Sequence, residues 1–155
     1  MSRRKEGRKR YGITLVASEI YELTWKWLEE RGCAHLVLYR MLKAGGNLVF
    51  TVEHPVFTAH GTQDWYYNEK GEILHFPVDN YYYEGKRTAV FLGEKVTKYH
   101  RTLTTYLNTL LSNGFIINRI VEPQPPEYMM DIPGMQDEMR RPMMMIVSAN
   151  KKVDR

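Results

Sequence analysis

The first apolar positions of the chain follow two different periods in turn. Ile13–Ala17 is a short run rich in β-branched residues, which predicts a strand. Ser18 then stands where a helix N-cap belongs, with a hydroxyl that can accept a backbone N–H. The next apolar residues recur at helical spacing: Ile20, Leu23, Trp27 and Leu28. Gly32 ends this pattern and predicts the end of the first helix.

A second helix and a buried strand are predicted directly afterwards. Ala34–Lys43 is apolar on most sides and ends before a pair of glycines at positions 45 and 46, which permit a left-handed helix end and a tight turn. Asn47–Val52 is then almost continuously apolar, as is typical of a strand buried on both faces. Helix, glycine turn and buried strand together predict half of an α/β unit.

The middle of the chain has no long periodic segment. Residues 53–97 contain many aromatic residues and glycines, and only short apolar alternations; we expect a long excursion with one hairpin near Phe76–Val90. From Lys98 the pattern becomes helical and ends at Asn113-Gly114. Its apolar stripe consists of Leu103, Tyr106, Leu107, Leu110 and Leu111.

Two further strands complete the expected domain. Phe115–Val121 predicts a strand, Glu122–Pro142 a loop rich in proline, methionine and acids, and Met143–Ala149 a last strand. No internal repeat interrupts this order. We therefore expect one domain over residues 13–155, preceded by a basic, disordered tail over residues 1–12.

The net charge of +4 is concentrated in that tail. The first ten residues, MSRRKEGRKR, carry six basic side chains and one acid, a charge of +5, so the remaining 145 residues carry about −1 by subtraction. A nucleic-acid surface would interleave basic and aromatic residues on one element, and the tail has no aromatic residue before Tyr11. Nucleic-acid binding through the tail is therefore the weakest of the functions considered.

Composition narrows the cellular setting. With 155 residues, 43% of them hydrophobic and 26% charged, the chain has enough apolar material for one modest core. It has no run of 18 apolar residues that would span a membrane, and no apolar segment of a secretory signal follows the basic N-terminus. Cys33 is the single cysteine, so no internal disulfide can form, and we expect a cytoplasmic protein.

Several well-known chemical motifs do not occur in the sequence. The chain contains no G-x-G, so neither a dinucleotide-binding fingerprint nor a phosphate-binding loop can be drawn. It contains no C-x-x-C and no H-E-x-x-H, and a loop separates His54 from His60. We therefore expect no metal site.

Residues 39–50, YRMLKAGGNLVF, resemble the R-x-L-K-P-G-G-x-hydrophobic junction of class I S-adenosylmethionine-dependent methyltransferases, with Ala44 in place of the usual proline. Further matches follow in the order of a bacterial small-molecule subgroup: Val52 to Pro55, Tyr99 to Leu103, Asn113 to Phe115, and Arg141-Pro142. The resemblance covers about residues 37–152; the first 36 residues resemble the family poorly. It therefore points to the C-terminal half of such an enzyme.

The resemblance implies a partial Rossmann-like sheet of the α/β class, packed with helices. The family's strand order is 3-2-1-4-5-7-6, with an antiparallel seventh strand between the fifth and the sixth. Leu48–Val52 would be the fifth strand, Phe115–Val121 the sixth and Met143–Ala149 the seventh, and Ile13–Ala17 could occupy the fourth position.

The resemblance also implies S-adenosylmethionine as the methyl donor. The family binds it through a glycine-rich loop after the first strand and an acid after the second, which this chain lacks. Several lost hydrogen bonds of about 1–3 kcal/mol each would reduce donor affinity by decades. We therefore expect a truncated domain that binds the donor weakly or not at all.

Candidate site residues follow from the position of the predicted strands. Ligands of open α/β sheets bind beyond the carboxyl ends of strands, so Glu53 and His54 are candidates for acceptor contact or general-base catalysis; alternatively they brace the turn before Pro55. His100 is a third catalytic candidate, or a cap of the following helix. Candidates for substrate binding are Trp65, Tyr81, Tyr99 and Arg101, although the aromatic loop could instead fold for its own stability.

Two functions of different kinds remain open. The first is a small-molecule methyltransferase-like protein that is weakly active or inactive alone. The second is a non-catalytic binding or assembly module that keeps the substrate-side surface. An unpaired strand edge would invite a second copy of the chain or a complementing N-terminal fragment, so a homodimer or such a complex is expected as well.

Overall fold

A three-stranded sheet forms the centre of the molecule. The structure, a computed structural model, describes residues 42–153. The sheet consists of β1 (Asn47–Glu53), β6 (Phe115–Val121) and β7 (Met144–Lys151), in the order β1-β7-β6. β7 is antiparallel to both neighbours, so β1 and β6 are parallel to each other. The carboxyl ends of β1 and β6 and the start of β7 therefore lie together at one end of the strands. We call this end the sheet edge.

This arrangement confirms the expected order of the fifth, seventh and sixth strands. The predicted bounds agree within two residues, because continuous apolar runs between turn residues leave little freedom for a strand. The predicted strand at Ile13–Ala17, both predicted N-terminal helices up to Met41 and the basic tail lie outside the described residues. Among the described strands, β1 has a neighbour on one side only, which is β7.

The core lies between this sheet and the helix α2 (Leu103–Ser112). Met145, Val147 and Ala149 of β7 are fully buried, and they alternate with partly buried neighbours as the two faces of a strand require. They form one cluster with Leu42, Leu48, Val52, Leu110 and Phe115. The apolar stripe predicted for the helix therefore does face the sheet.

Local signals explain where α2 begins and ends. The Thr102 hydroxyl accepts the backbone N–H of Thr105 at 3.1 Å, so Thr102 is the N-cap and His100 is not. Gly114 adopts a φ of +81° directly after the C-cap Asn113, a conformation that a residue with a Cβ enters only at a cost.

The glycine pair before β1 closes the opposite end of the sheet. Gly45 has a φ of +72° and donates its N–H to the carbonyl of Lys151 at 3.0 Å. A Cβ on Gly46 would lie 2.8 Å from the carbonyl oxygen of Lys43, so only glycine fits there. Residues 42 and 43, where the second helix was predicted to end, are not helical.

The excursion between β1 and α2 contains two hairpins, neither at Phe76–Val90 as predicted. One pairs β2 (Tyr66–Tyr67) with β3 (Ile73–His75), and the other pairs β4 (Gly85–Phe91) with β5 (Glu94–His100). The prediction was wrong because the strand Glu94–His100 is polar and half-exposed. Its sequence lacks the regular alternation of apolar and polar residues that would distinguish a strand from the segment leading into the next helix.

Three short helical turns complete the described part. They are α1 (Pro55–Ala59), a 3-10 turn (Glu127–Met129) and α3 (Met135–Glu138). α1 follows directly on β1 and packs beside β5. None of the described helices is long and apolar enough to cross a bilayer.

Candidate functional site

Two side chains leave the parallel strands β1 and β6 at the same sheet edge and meet there. His54 follows β1 and Glu122 follows β6, and the Nε2 of His54 lies 2.9 Å from the Oε1 of Glu122. The backbone N–H of His54 donates to the carbonyl of Met143 at 2.8 Å, just before β7. The structure therefore places His54 at the carboxyl end of β1, where the sequence predicts it, and the same reasoning would also have selected Glu122.

The hydrogen bonds of His54 assign its tautomer. Its Nδ1 accepts the N–H of Val56 at 3.1 Å, which caps α1, so Nε2 carries the proton and donates it to Glu122. Burial lowers the pKa of His54, and the carboxylate of Glu122 opposes this only in part. The ring is therefore neutral near pH 7 and has no lone pair free to accept a proton. As sequence analysis allowed, His54 does brace the turn before Pro55.

Glu53 is held by a different group of side chains. Its Oε1 lies 2.5 Å from the Nζ of Lys98, and its Oε2 accepts the side-chain amide of Gln63 at 3.3 Å. Lys98 also donates to the Oε1 of Gln63 at 2.7 Å. Lys98 comes from β5, far along the chain, so no local signal in the sequence marks this ion pair. Glu53 is thus an ion-paired carboxylate at the carboxyl end of β1.

His100 lies fully buried between α1 and the loop before β4. Its Nε2 donates to the carbonyl of Tyr81 at 2.7 Å, and its Nδ1 accepts the hydroxyl of Thr58, also at 2.7 Å. Burial lowers the pKa of His100, and the hydrogen bond to Tyr81 opposes the shift without reversing it. Both nitrogens are therefore engaged, and the ring joins three segments.

The three predicted substrate-binding residues near His100 do not form one site. The Tyr81 hydroxyl accepts the backbone N–H of Leu103 at the start of α2, at 3.1 Å. Arg101 lies 3.5 Å from Glu84. Tyr99 stands on the partly exposed outer face of the β4–β5 hairpin, paired in register with Lys86. Tyr81 and Arg101 hold the helix start, whereas Tyr99 faces away from this network.

Glu84 organises the start of α2. Its Oε1 accepts the backbone N–H of Thr102 at 2.8 Å and the Thr102 hydroxyl at 2.9 Å. Burial raises the pKa of Glu84, but hydrogen bonds from Thr105 and Thr102 and the charge of Arg101 outweigh burial and bring the pKa below its usual value. Glu84 therefore remains ionised as a backbone-capping group.

Trp65 belongs to a cluster of three rings around one arginine. The Cζ of Arg141 lies 4.6 Å from the ring centroid of Phe57, 4.9 Å from that of Phe76 and 5.0 Å from that of Trp65. Trp65 meets Phe76 edge to face at 5.3 Å. We call Arg141 with these three rings the arginine–aromatic cluster. In the sequence, Arg141-Pro142 is recognisable only as part of the family resemblance, and no local pattern marks this role of Arg141.

α1 connects these groups. His54 caps its start, Phe57 contributes to the arginine–aromatic cluster, and Thr58 bonds to His100. Five residues of helix thus bring together the strand edge, the buried histidine and the loop that carries Trp65. Whether the predicted residues are catalytic or substrate-binding remains a prediction.

The loops at the carboxyl ends of the described parallel strands differ from the glycine-rich loop that the family resemblance implies for S-adenosylmethionine. The loops that leave the carboxyl ends of β1 and β6, Glu53 to Pro55 and Glu122 to Pro126, contain no glycine that would let backbone approach a ligand closely. Glycines with positive φ all stand elsewhere, at Gly45, Gly71, Gly85, Gly93, Gly114 and Gly134. Residues 42–153 also contain no group of three metal-ligating side chains.

Solved methyltransferase structures share this fold. A structure from Listeria monocytogenes, described as an S-adenosylmethionine-dependent methyltransferase, is 58% identical, with a TM-score of 0.70 over 75% of this chain and 52% of its own. An S-adenosylmethionine-dependent methyltransferase from Mesorhizobium loti is 34% identical, with a TM-score of 0.65 over 75% of this chain and 53% of its own.

One curated relative extends the same pattern. An uncharacterized protein of Haemophilus influenzae is 29% identical over 115 residues, which are 74% of this chain and 45% of the relative. No protein-family model matches the chain. The chain therefore spans about half the length of the proteins it resembles.

Proposed function

We propose that the chain, which is similar to S-adenosylmethionine-dependent methyltransferase structures over about half of their length, supplies the acceptor-binding part of a methyl-transfer site for a small molecule. The observation that carries this proposal is the meeting of His54 and Glu122 at the carboxyl ends of two parallel strands. That edge is where open α/β sheets bind their ligands. Methyltransferases depend mainly on positioning the acceptor and excluding water, which suits a site built from fixed side chains.

Glu122 is the residue that contacts the acceptor in this proposal, with His54 as its positioning residue. The Glu122 side chain is 55% exposed, whereas that of His54 is 7% exposed and has both nitrogens engaged. A carboxylate held from behind by an imidazole N–H can accept a hydrogen bond from an acceptor O–H or N–H. The exposed carboxylate oxygen, not the buried ring, is thus available to a ligand.

The chain alone binds the methyl donor weakly in this proposal. No G-x-G occurs in its 155 residues, and the two edge loops lack glycine. Isothermal titration of the 155-residue chain with S-adenosylmethionine should give no micromolar binding. Micromolar affinity would contradict this part of the proposal while leaving the acceptor site untouched.

Retention of small molecules tests the acceptor site. The 155-residue chain is equilibrated with a low-mass metabolite extract, and retained compounds are identified by mass spectrometry after ultrafiltration. We expect wild type to retain a compound and Glu122→Gln to bind it about tenfold more weakly, the loss of one charge-assisted hydrogen bond. Glu127→Gln, an exposed acid in the same loop, is the matched control and should bind normally.

The alternative is a non-catalytic binding module. It is favoured by one observation, that Glu53, His54 and His100 all have polar partners for their acidic or basic atoms. Retention of a compound without any transfer of isotope from methyl-labelled S-adenosylmethionine would support this alternative. Labelled product would exclude it, and no retained compound would contradict both functions.

We also propose that the chain associates with a second copy or a complementing N-terminal fragment that extends the sheet on the β1 side. Among the described strands β1 pairs with β7 alone. The predicted strand at Ile13–Ala17 is expected next to β1, and the partner would pair with whichever strand ends the sheet on that side. Sedimentation velocity of the 155-residue chain should show a species larger than a monomer, and a monomer at all concentrations would count against self-association.

A further inference from the structure

The guanidinium of Arg141 is enclosed on nearly every side. Its side chain is only 6% exposed. Phe57, Phe76 and Trp65 lie within about 5 Å of its central carbon, as in cation–π contacts. At its end, Nη1 and Nη2 donate to the two carboxylate oxygens of Glu138 at 2.8 and 3.0 Å. Ring contacts and a two-point ion pair thus account for the carbon and both terminal nitrogens.

The remaining nitrogen has no hydrogen-bond partner in the part of the chain that the structure describes. The Nε of Arg141 is buried and makes no hydrogen bond within residues 42–153. Buried donors in native proteins almost always have an acceptor, and an unmatched one is costly. The side edge of the guanidinium, which in many arginines binds an oxygen of a ligand, is therefore the unsatisfied part of the cluster.

Arg141 lies at the sheet edge where the proposed acceptor binds. It precedes β7 by three positions, and Met143 between them accepts the N–H of His54. Phe57 of α1, three residues after His54, contacts the guanidinium. The buried donor and the exposed carboxylate of Glu122 thus belong to one edge of the sheet.

The charges select a neutral oxygen as the missing partner. Glu138 already neutralises Arg141, and Asp137 pairs with Arg140 at 3.0 Å. A ligand carboxylate at Nε would add a second negative charge to a buried site with one cation, which desolvation disfavours. A neutral carbonyl oxygen accepts the Nε–H without that cost. The surrounding rings favour a planar, apolar body behind that oxygen.

We infer that Arg141 is a specificity-determining residue whose Nε–H binds a neutral carbonyl oxygen of a planar, aromatic acceptor molecule. This inference rests on the proposed acceptor-binding function and names its substrate class. Because Nε is buried, binding there requires neighbouring side chains to move when the ligand arrives; Trp65 and Phe76 are partly exposed, and side-chain rotamer changes are common on ligand binding.

The Nε–H resonance of Arg141 tests this directly. The ¹⁵N-labelled 155-residue chain is titrated with benzamide, a neutral aromatic carbonyl, and separately with benzoate, its anionic counterpart. We expect benzamide to shift the Arg141 Nε–H proton downfield to saturation, and benzoate to bind about tenfold more weakly or not at all. Arg141→Lys identifies the resonance by its loss and should weaken benzamide binding by about tenfold.

Arg140→Lys is the matched control, since Arg140 is a neighbour that also lies over Trp65, at 5.2 Å, but is more exposed. It should bind benzamide as wild type does. No shift with benzamide up to its solubility overturns the inference, tighter binding of benzoate overturns the neutral class, and equal loss in Arg140→Lys overturns the assignment to Arg141. The wild-type titration decides even if Arg141→Lys does not fold. Because no methyl donor is present, failure here is distinct from failure of methyl transfer.

Discussion

The sheet core and the surroundings of α1 are stabilised by different kinds of contact. In the core, the fully buried side chains of β7 are apolar: Met145, Val147 and Ala149. Around α1, the buried side chains include a notable polar set: His54, Thr58, His100 and Arg141. The core depends on non-directional burial of apolar area, whereas the α1 region depends on directional hydrogen bonds and ion pairs.

This difference has consequences for sequence change. A core accepts another apolar side chain of similar volume at modest cost, because burial requires only shape. A buried histidine with both nitrogens engaged accepts almost no substitute, because a lost partner leaves a buried polar group unpaired. The α1 region therefore tolerates fewer substitutions than the core, and its side chains are held in fixed positions, as a binding site requires.

The largest expected effect concerns the core. Met145→Ala should lower the free energy of unfolding by about 2–5 kcal/mol, because it removes buried apolar atoms and leaves a cavity. Ser148→Ala, a partly buried position on the other face of β7, should change it by less than about 0.5 kcal/mol. Urea denaturation monitored by circular dichroism measures both. Similar losses in the two variants would remove the distinction between core and site.

A smaller loss is expected at His54, where two contributions can be separated. His54→Ala removes the N-cap of α1 and the contact with Glu122, and should cost about 1–2 kcal/mol. His54→Asn retains a capping side chain and should recover about half of that loss. Equal destabilisation of both variants would show that the cap contributes nothing. The same denaturation assay applies.

The next expected difference between the two regions is in the pH dependence of the free energy of unfolding, because both buried histidines belong to the α1 region. Burial lowers the pKa of both His54 and His100 in the folded protein below the usual 6.5. Below about pH 6.5 the unfolded chain therefore binds more protons than the native one, and stability falls as the pH decreases toward the folded pKa values. Above that pH this contribution is fully present. Glu84, whose pKa is lowered, adds a further loss at more acidic pH.

Urea midpoints between pH 8 and pH 5 measure this fall. His100→Gln should reduce its size, since one of the two histidines no longer titrates. His75→Gln, which replaces an exposed histidine, is the control and should leave the slope unchanged. A slope equal in wild type and His100→Gln would show that His100 is not responsible.

The smallest effect is expected at the turn between β4 and β5. Leu92 and Gly93 form a two-residue turn with φ angles of +51° and +85°, and Leu92 is 89% exposed. Asparagine tolerates a positive φ better than leucine, so Leu92→Asn should stabilise the protein by about 0.5–1 kcal/mol. Thr88→Asn, an exposed position within β4, should not stabilise it. Thermal unfolding measures the shift, and a lower midpoint for Leu92→Asn would contradict the assignment.

The strands could be predicted because their information is local. The apolar run at Asn47–Val52 follows a glycine pair, and Asn113-Gly114 separates the α2 stripe from Phe115–Val121. Such punctuation limits each element without reference to the rest of the fold. The hairpin at Gly85–His100 was misplaced because its alternation is weak and its turn contains leucine where asparagine or glycine is usual.

The partners of the candidate residues could not be predicted in the same way. Lys98 meets Glu53 across 45 positions, and His100 meets Thr58 across 42. Arg141 contacts Phe57 and Trp65, although both stand far before it in the sequence. The type of side chain at one position does not indicate which distant residue it will contact in the folded protein.

The amino-acid sequence by itself determined the elements of the sheet, the order of its three described strands through a family resemblance, and the edge at which His54 emerges. Only the tertiary structure decided that His54 supports Glu122, that Lys98 forms an ion pair with Glu53, and that the Nε of Arg141 finds no acceptor within residues 42–153. The physical reason is range: backbone propensity and apolar period act over a few residues, whereas a hydrogen bond or ion pair depends on the final distance between groups far apart in the chain.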